Sequence, residues 1–166
     1  MSARAWVALV AAAALGACQA QEPPGTPELR SAGEVDPGPR IEVIQPEGMA
    51  RLPVFSSAIR AGGFIFLSGA IGTVGESLAL IEGGAAAETR QTMENVQAVL
   101  EAAGASLDDV VKCTVFLADM ADYQAVNEVY AEFFPSRPPA RSAVAGSGLA
   151  LGARVEIECL ALDPGR

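Results

Sequence analysis

Apolar stretches separated by glycine, proline and aspartate predict seven secondary-structure elements between residues 54 and 162. Short apolar runs bounded by turn residues are typical of buried strands, whereas apolar positions three or four apart indicate an amphipathic helix. The predicted order is β-β-α-β-α-β-β, which favours a mixed sheet with helices over one face. Strands are predicted at 54–59, 64–69, 110–117, 141–145 and 154–162, and helices at 85–103 and between Asp119 and Pro135.

The two predicted helices each carry one apolar stripe. In the first, Met93, Val96 and Leu100 fall at helical spacing, and Gly104 is typical of a helix end. Its charged residues lie off that stripe: Glu88, Arg90, Glu94 and Glu101. The second begins at the capping residue Asp119 and ends before Pro135, and its apolar residues are Val126, Val129, Tyr130 and Phe133.

Two of the strands alternate between an apolar and a polar face. The apolar faces are expected under the helices and consist of Val111, Cys113, Val115 and Leu117 in one strand and Val155, Ile157, Cys159 and Ala161 in the other. The opposite faces carry Lys112, Thr114, Arg154, Glu156 and Glu158. That second face of the sheet is therefore predicted to be solvated or packed against another subunit.

Cys113 and Cys159 are both expected in this core. They can form a disulfide if their strands are neighbours and the compartment is oxidising. The alternative, which we favour, is a pair of buried free thiols that act as small hydrophobic residues. The chain has no CxxC pair, so a structural zinc site is not expected.

The first 17 residues have the features of a signal peptide. The apolar run 6–17 follows a short start containing Arg4, and it is too short to cross a bilayer, which needs about 20 residues. Leu15-Gly16-Ala17-Cys18 resembles a bacterial lipobox, in which Cys18 is lipidated and becomes the mature N-terminus. The alternative is an ordinary secreted protein cleaved near Ala17 or Ala20.

Residues 18–40 are rich in proline and glycine and lack apolar periodicity, which predicts a disordered tether. One domain then remains over residues 41–166. Gln19 follows the lipobox cysteine, and by resemblance to sorted lipoproteins this favours the outer membrane. We therefore predict an exported periplasmic lipoprotein that contacts the membrane through its lipid anchor only.

The chain is acidic and contains no histidine. It has 20 Asp and Glu against 11 Lys and Arg, a net charge of −9; loss of the segment with Arg4 leaves 10 against 20, or −10. Nucleic acid is therefore not an expected partner, because its binding depends on basic residues that neutralise phosphates. The absence of histidine excludes Ser-His-Asp and Cys-His catalysis as normally built.

Arg141 stands alone in a small, apolar stretch in which the next charge is Arg154. A guanidinium matches a carboxylate in bidentate geometry, so an arginine without a nearby acidic residue is a candidate anion receptor. The alternative is a structural arginine that bonds backbone carbonyls or a distant acidic residue.

Six segments, in order, resemble the RidA/YjgF family of reactive-intermediate deaminases. Together they span about residues 43 to 162, and the specificity lies in the set rather than in any one of them. The segments are 55–69, 91–96 with 100–104, 110–117, 122–127 with 130–134, 139–142 and 155–158.

The resemblance implies a chorismate-mutase-like α+β fold, a mixed six-stranded sheet with two helices packed on one face, and a homotrimer with ligand clefts between subunits. It implies hydrolysis of enamines and imines of amino acids, such as 2-aminoacrylate and 2-iminopropanoate, to 2-keto acids and ammonia, with no metal and no cofactor. Arg141 matches the arginine that binds the substrate carboxylate, and Glu156 matches the glutamate that positions or activates water. Ser68, Gly69 and Asn127 match residues that line or adjoin the cleft.

The sequence departs from the family pattern around this cleft. Phe55 stands where the family usually has tyrosine, and Ser57 and Ala70 stand where it often has glutamine. Ala143 replaces a residue that is often cysteine. These changes leave the carboxylate-binding arginine in place but make the pocket less polar. They leave open an alternative function, a non-catalytic trimeric lipoprotein that binds small carboxylates or another protein.

Overall fold

A mixed β-sheet covered on one face by two helices forms the fold in our computed structural model, which describes residues 41–165. The predicted signal peptide, lipobox Cys18 and tether fall outside these residues. The strands are β1 Glu42–Ile44, β2 Ala58–Ala61, β3 Phe64–Leu67, β4 Ala70–Ile71, β5 Thr73–Val74, β6 Ala79–Leu80, β7 Val110–Leu117, β8 Ala140–Ala145 and β9 Val155–Leu162, and the helices are α1 Gly84–Ala102 and α2 Tyr123–Phe133.

The main sheet has the strand order β1-β2-β3-β9-β7-β8, and the short β4 also pairs with β9. Strands β7 and β8 are parallel because α2 carries the chain back between them, whereas the other pairs in this sheet are antiparallel. The predicted α+β architecture is therefore confirmed. The patterns did not predict β1 or the β4–β6 region, and the first predicted strand begins only at Ala58.

The β2–β3 hairpin turns through Gly62 and Gly63, whose φ angles are 59° and 82°. Two consecutive residues with positive φ fit the tight turn that matches the twist of antiparallel strands, and glycine adopts it without strain. The hairpin places Phe64 and Phe66 on the sheet face away from the helices, while Ile65 and Leu67 enter the core.

The core lies between this sheet and α1, whose Met93, Val96 and Leu100 are buried as the stripe predicted. Glu88 is also buried, although it lies off that stripe. Its side chain is 6% exposed, and Oε2 accepts a 2.7 Å hydrogen bond from the backbone N–H of Arg154 at the start of β9. A carboxylate inside the apolar layer is tolerated here because it satisfies a backbone donor.

A β-bulge corrects the face predicted for the beginning of β7. The register with β9 shifts between Val110 and Lys112, so Val110 rather than Val111 is fully buried. The extra residue of the bulge interrupts the alternation of buried and exposed side chains between Val110 and Cys113. From Cys113 onward the predicted apolar face is confirmed, since Cys113, Val115 and Leu117 are buried.

The preference for free thiols at Cys113 and Cys159 is also wrong. The two residues are direct partners across the antiparallel strands β7 and β9, and their sulfur atoms form a disulfide. Directly opposed residues in antiparallel strands lie close enough for their sulfur atoms to bond. The sequence did not show that these strands are neighbours, because β8 and β9 follow β7 in the chain but lie on opposite sides of it.

The sheet face away from the helices is more apolar than the polar residues of β7 and β9 suggested. Phe66 is 47% exposed there, Phe64 and Leu162 are exposed beside it, and Val144 is exposed on the same face at the edge strand β8. Large apolar side chains that are exposed next to one another, as Phe64, Phe66 and Leu162 are, favour an interaction site in a soluble protein. Within residues 41–165, no helix combines the length and apolar character that crossing a membrane requires.

Candidate active site

Glu156 is the second residue of β9, and it lies next to the loop through which the chain passes from β3 to β4. Residue Ile71 of β4 is its register partner, and the preceding Gly69 passes directly over its carboxylate. A Cβ atom built on Gly69 would lie 1.9 Å from Oε1 of Glu156. Only glycine therefore fits at residue 69 without moving the carboxylate.

Ser68 is held by bonds to the segment before β2. Its hydroxyl donates to the carbonyl of Ser56 at 2.7 Å, and its backbone N–H donates to the carbonyl of Ser57 at 3.0 Å. The side chain of Ser57 in turn donates to Gln45 at 2.9 Å. These bonds fix the strand end that carries Gly69 over Glu156.

A pocket of about 300 Å³ opens beside this carboxylate. The predicted site residues Phe55, Ser68, Gly69 and Glu156 all line it. Its remaining wall is mostly apolar and includes Met49, Leu52, Leu67, Ala70, Ile71, Leu78, Val96, Val99 and Leu151. A concave, largely apolar cavity with a few polar groups at one end is the usual form of a small-molecule site.

Burial raises the pKa of the Glu156 carboxyl above its ordinary value, and the nearby negative charge of Glu158 raises it further. Both effects disfavour the ionised form. A carboxylate with a raised pKa is a stronger base once it is ionised, and this is the property that general base catalysis needs.

Arg141 lies on the edge strand β8, in register with Cys113 of β7, and so points to the helix-covered side of the sheet. Its guanidinium carbon is 4.9 Å from the ring centre of Tyr130 and 5.8 Å from that of Tyr123, both on α2. Nη2 also donates to the hydroxyl of Tyr123 at 3.4 Å. Between residues 41 and 165 no carboxylate forms an ion pair with Arg141.

Asn127 lies on α2 between these two tyrosines, at helical spacing from both. Its Oδ1 atom and the hydroxyl of Tyr130 are buried, and neither has a hydrogen-bond partner among the described residues. Burial raises the pKa of Tyr130 to about 12, although the positive charge of Arg141 lowers it in part. Ala143 follows on the same face of β8 and packs, partly buried, against the core.

One chain thus keeps its site residues in two separate groups. Glu156 is in register with Phe116 of β7 and faces away from the side on which Arg141 lies. Strand β7 lies between their strands, which places β8 and β9 about 10 Å apart. We call Arg141, Tyr123, Asn127 and Tyr130 the arginine group, and Phe55, Ser68, Gly69 and Glu156 the glutamate group.

The sequence pattern did not identify the two tyrosines as site residues. Tyr130 was assigned to the core stripe of α2, and it is indeed 5% exposed, but its ring also contacts the guanidinium of Arg141. The spacing of Tyr123, Asn127 and Tyr130 along one helix face could have grouped them. The parallel β7–β8 pairing that brings Arg141 under that face was not visible in the pattern.

Similarity to known proteins extends over nearly all of the described residues 41–165. The family model described as Endoribonuclease L-PSP matches residues 48–163. Reactive Intermediate Deaminase A, chloroplastic, from Arabidopsis thaliana is 41% identical over 121 residues, which cover 72% of this chain and 65% of that protein. The 2-iminobutanoate/2-iminopropanoate deaminase of Homo sapiens is 42% identical over 109 residues, or 66% and 80% of the two chains.

The crystal structure of the YjgF gene product from E. coli superimposes with a TM-score of 0.68 at 33% identity, over 73% of this chain and 98% of that one. The fold and the sequence therefore match known proteins over the same region. The chain belongs to the family described as Endoribonuclease L-PSP, which contains the RidA and YjgF proteins.

Proposed function

We propose that this protein hydrolyses reactive enamines and imines derived from amino acids, of the 2-aminoacrylate and 2-iminopropanoate type, to 2-keto acids and ammonia. The observation that carries the proposal is Glu156, a carboxylate of raised pKa held under Gly69 at the end of a pocket. The proposal is supported by similarity to proteins named for this activity, among them the human deaminase at 42% identity.

In the proposed reaction, Arg141 binds the substrate carboxylate through two parallel N–H···O bonds. Glu156 accepts a proton from water as the water oxygen bonds to the imine carbon, and the C=N electron pair moves to nitrogen, which takes up a proton. Loss of ammonia from this carbinolamine then forms the keto group. The balance is one water consumed and one ammonia released, with no change of oxidation state, so neither a metal nor a cofactor is required.

The two groups are proposed to meet at an interface between subunits of a homotrimer. Arg141 and Glu156 face opposite sides of the sheet in one chain and lie on strands separated by β7, so we expect a single substrate to contact both only if they come from different chains. The exposed face that carries Phe64, Phe66 and Leu162 is the surface proposed to bring the chains together.

The negative charge of the chain argues against cleavage of RNA, the activity named in the family description. A protein with 20 acidic and 11 basic residues lacks the excess of cations that binding to phosphates needs. Histidine, the commonest acid–base residue, is absent from the sequence. We therefore expect small carboxylates, and no nucleic acid, as ligands.

We also propose that the protein is exported and carries a lipid on Cys18. A second candidate function is the binding of small carboxylates without catalysis. Phe55 and Ala143 remove a hydroxyl and a thiol that the family resemblance would place near the substrate. A trimer that binds small carboxylates at Arg141 without turnover is the alternative. The disulfide between Cys113 and Cys159 is consistent with export, because such bonds persist in oxidising compartments.

One assay distinguishes the two functions. An amino-acid oxidase generates 2-iminopropanoate from alanine, and the loss of the imine is followed with and without the purified protein. We expect acceleration by the wild type and none by Arg141→Ala. The matched control is Arg90→Ala, which removes an exposed arginine paired with Glu132 and should retain full activity. Absence of acceleration by the wild type, or full activity of Arg141→Ala, would refute the deaminase proposal.

A further inference from the structure

The pocket next to Glu156 extends well beyond what a methyl-sized substrate side chain needs. Glu156 is the one ionisable residue among those that line it, and it lies at the Gly69 end. Away from that end the wall is formed by aliphatic side chains of α1 and the surrounding loops, including Leu52, Val96 and Val99. Asn95 also lines the pocket, but its amide donates to the carbonyls of Ile71 and Thr73 and is occupied there.

Backbone strain is concentrated around the same pocket. Leu78 and Leu151 have φ angles of 55° and 57°, and they are the two non-glycine residues with positive φ between residues 41 and 165. Both line the pocket. A side chain other than glycine is held in this conformation at an energetic cost, and such residues cluster at ligand sites. The strained turn Ala150–Gly152 keeps Leu151 at the pocket mouth with 60% of its surface exposed.

An apolar wall of this size requires an apolar occupant. An imine whose reacting carbon lies at Glu156 would direct its side chain away from that carboxylate and along the aliphatic wall. A methyl group would leave most of the 300 Å³ unfilled, so the wall would gain few contacts from it. A branched or thioether side chain of leucine or methionine size would cover several of the exposed aliphatic groups, Leu151 among them.

We infer that the preferred substrates are imines of amino acids with large apolar side chains, of the leucine, methionine or phenylalanine class, rather than 2-iminopropanoate. The inference rests on the proposed function and specifies its substrate. Each additional methylene that is fully buried strengthens binding about fourfold. The side chain of leucine has three more carbons than that of alanine, so even partial burial of them gives a preference of at least about tenfold.

Turnover provides the first test. The imines are generated from alanine and from leucine by the same oxidase, and kcat/KM is measured for each with the purified protein. We expect kcat/KM for the leucine-derived imine to be at least about tenfold higher. Equal values, or a preference for the smaller imine, overturn the inference but leave the proposed activity intact.

Binding provides a test that does not need turnover. The dissociation constants of pyruvate and 4-methyl-2-oxopentanoate, the keto acids that correspond to alanine and leucine, are measured by calorimetry. The larger keto acid should bind at least about tenfold more tightly. If no imine is turned over but this preference is present, the proposed activity fails while the ligand class stands; equal affinities overturn the ligand class.

Two variants assign the preference to this pocket. Ala150→Phe places a ring at the mouth from an exposed position, and Leu151→Ala removes part of the wall. Both should reduce the ratio of the affinities for the larger and smaller keto acids by at least about fivefold. Ala131→Phe adds the same ring at an exposed position of α2 outside the pocket and should keep the wild-type ratio. An unchanged ratio in both pocket variants would contradict the assignment.

Discussion

The carboxylate of Glu156 occupies the space that a side chain at Gly69 would need, because a Cβ there would lie 1.9 Å from Oε1. Gly69 directly precedes β4 and Glu156 lies in β9, and the β4–β9 pairing holds them in contact. The atom in the way is the end of a flexible side chain rather than backbone. A methyl group at residue 69 would therefore displace the proposed base and leave the fold in place.

We expect Gly69→Ala to lose at least about 100-fold in kcat/KM for imine hydrolysis, since a small displacement of a catalytic group can cost that much. The melting temperature should change little. The matched variant is Gly72→Ala, whose Cβ would lie 2.9 Å from the backbone Cα of Glu88 in α1. Since that backbone cannot move away easily, Gly72→Ala should lower the melting temperature instead. Retained activity in Gly69→Ala would argue against Glu156 as the base.

The acid limb of the pH profile should report on Glu156. Its pKa is raised by burial first and by Glu158 second, so kcat/KM should fall at a higher pH than an ordinary glutamate would give. Glu158→Gln removes the second cause and should shift the limb to lower pH, while burial keeps it above the ordinary value. The measurement is kcat/KM between about pH 4 and 8. A limb that does not move in Glu158→Gln would contradict this account.

The same raised pKa predicts how stability depends on pH. The folded state retains the Glu156 proton more strongly than the unfolded state, so this group's contribution to the free energy of unfolding decreases as pH rises from 4.5 through the folded pKa. Glu156→Gln should therefore be more stable than the wild type at neutral pH. The difference should vanish below the unfolded pKa, and urea unfolding at several pH values measures it.

Reduction of the Cys113–Cys159 disulfide should destabilise the domain. The bond closes a loop with a sequence separation of 46 residues, for which the loop-entropy relation gives about 4 kcal/mol. We expect Cys113→Ser with Cys159→Ser to lower the free energy of unfolding by roughly 2–5 kcal/mol. The mutant should no longer respond to reducing agent, whereas the oxidised wild type should lose stability to about the same extent on reduction. If reducing agent does not change the free energy of unfolding of the wild type, the disulfide is absent in solution.

Elements with strong periodicity were predictable from the sequence, and pairings between distant strands were not. The stripe of Met93, Val96 and Leu100 located α1 and its buried face. The disulfide and the position of Arg141 both depend on β7 lying between β8 and β9, which no local pattern encodes. Asp119 was correctly identified as a cap, although it caps the short turn Met120–Asp122 that precedes α2.

In the candidate site, too, local motifs were predictable from the sequence and contacts between distant strands were not. Residues next to each other in the chain, such as Ser68 and Gly69, were identified together because one motif contains them. That Arg141 and Glu156 face opposite sides of the sheet follows from strand register, which depends on tertiary packing. The bulge that buries Val110 in place of Val111 is a further case, since the sequence pattern there is apolar at both positions.

Tyr123 should orient Arg141 for ligand binding. Its hydroxyl accepts a bond from Nη2, and its ring lies beside the guanidinium. Tyr123→Phe keeps the ring but removes the bond, so the dissociation constant for a 2-keto acid should increase about three- to tenfold. Arg141→Lys should weaken binding more, because an ammonium cannot form two parallel bonds to a carboxylate. An unchanged affinity in Tyr123→Phe would show that the bond does not orient the arginine.

Phe66 should control the assembly of the proposed trimer and, through it, activity. It is 47% exposed at the centre of the uncovered sheet face, so glutamate there leaves the core intact but places a charge where an apolar contact is proposed. Phe66→Glu should be monomeric by light scattering, should retain the wild-type circular dichroism spectrum, and should not hydrolyse imines because the arginine and glutamate groups no longer meet. Val74→Glu, which is 49% exposed on the separate β5–β6 sheet, adds the same charge and should remain trimeric. A monomeric Phe66→Glu with full turnover would show that one chain is sufficient for catalysis.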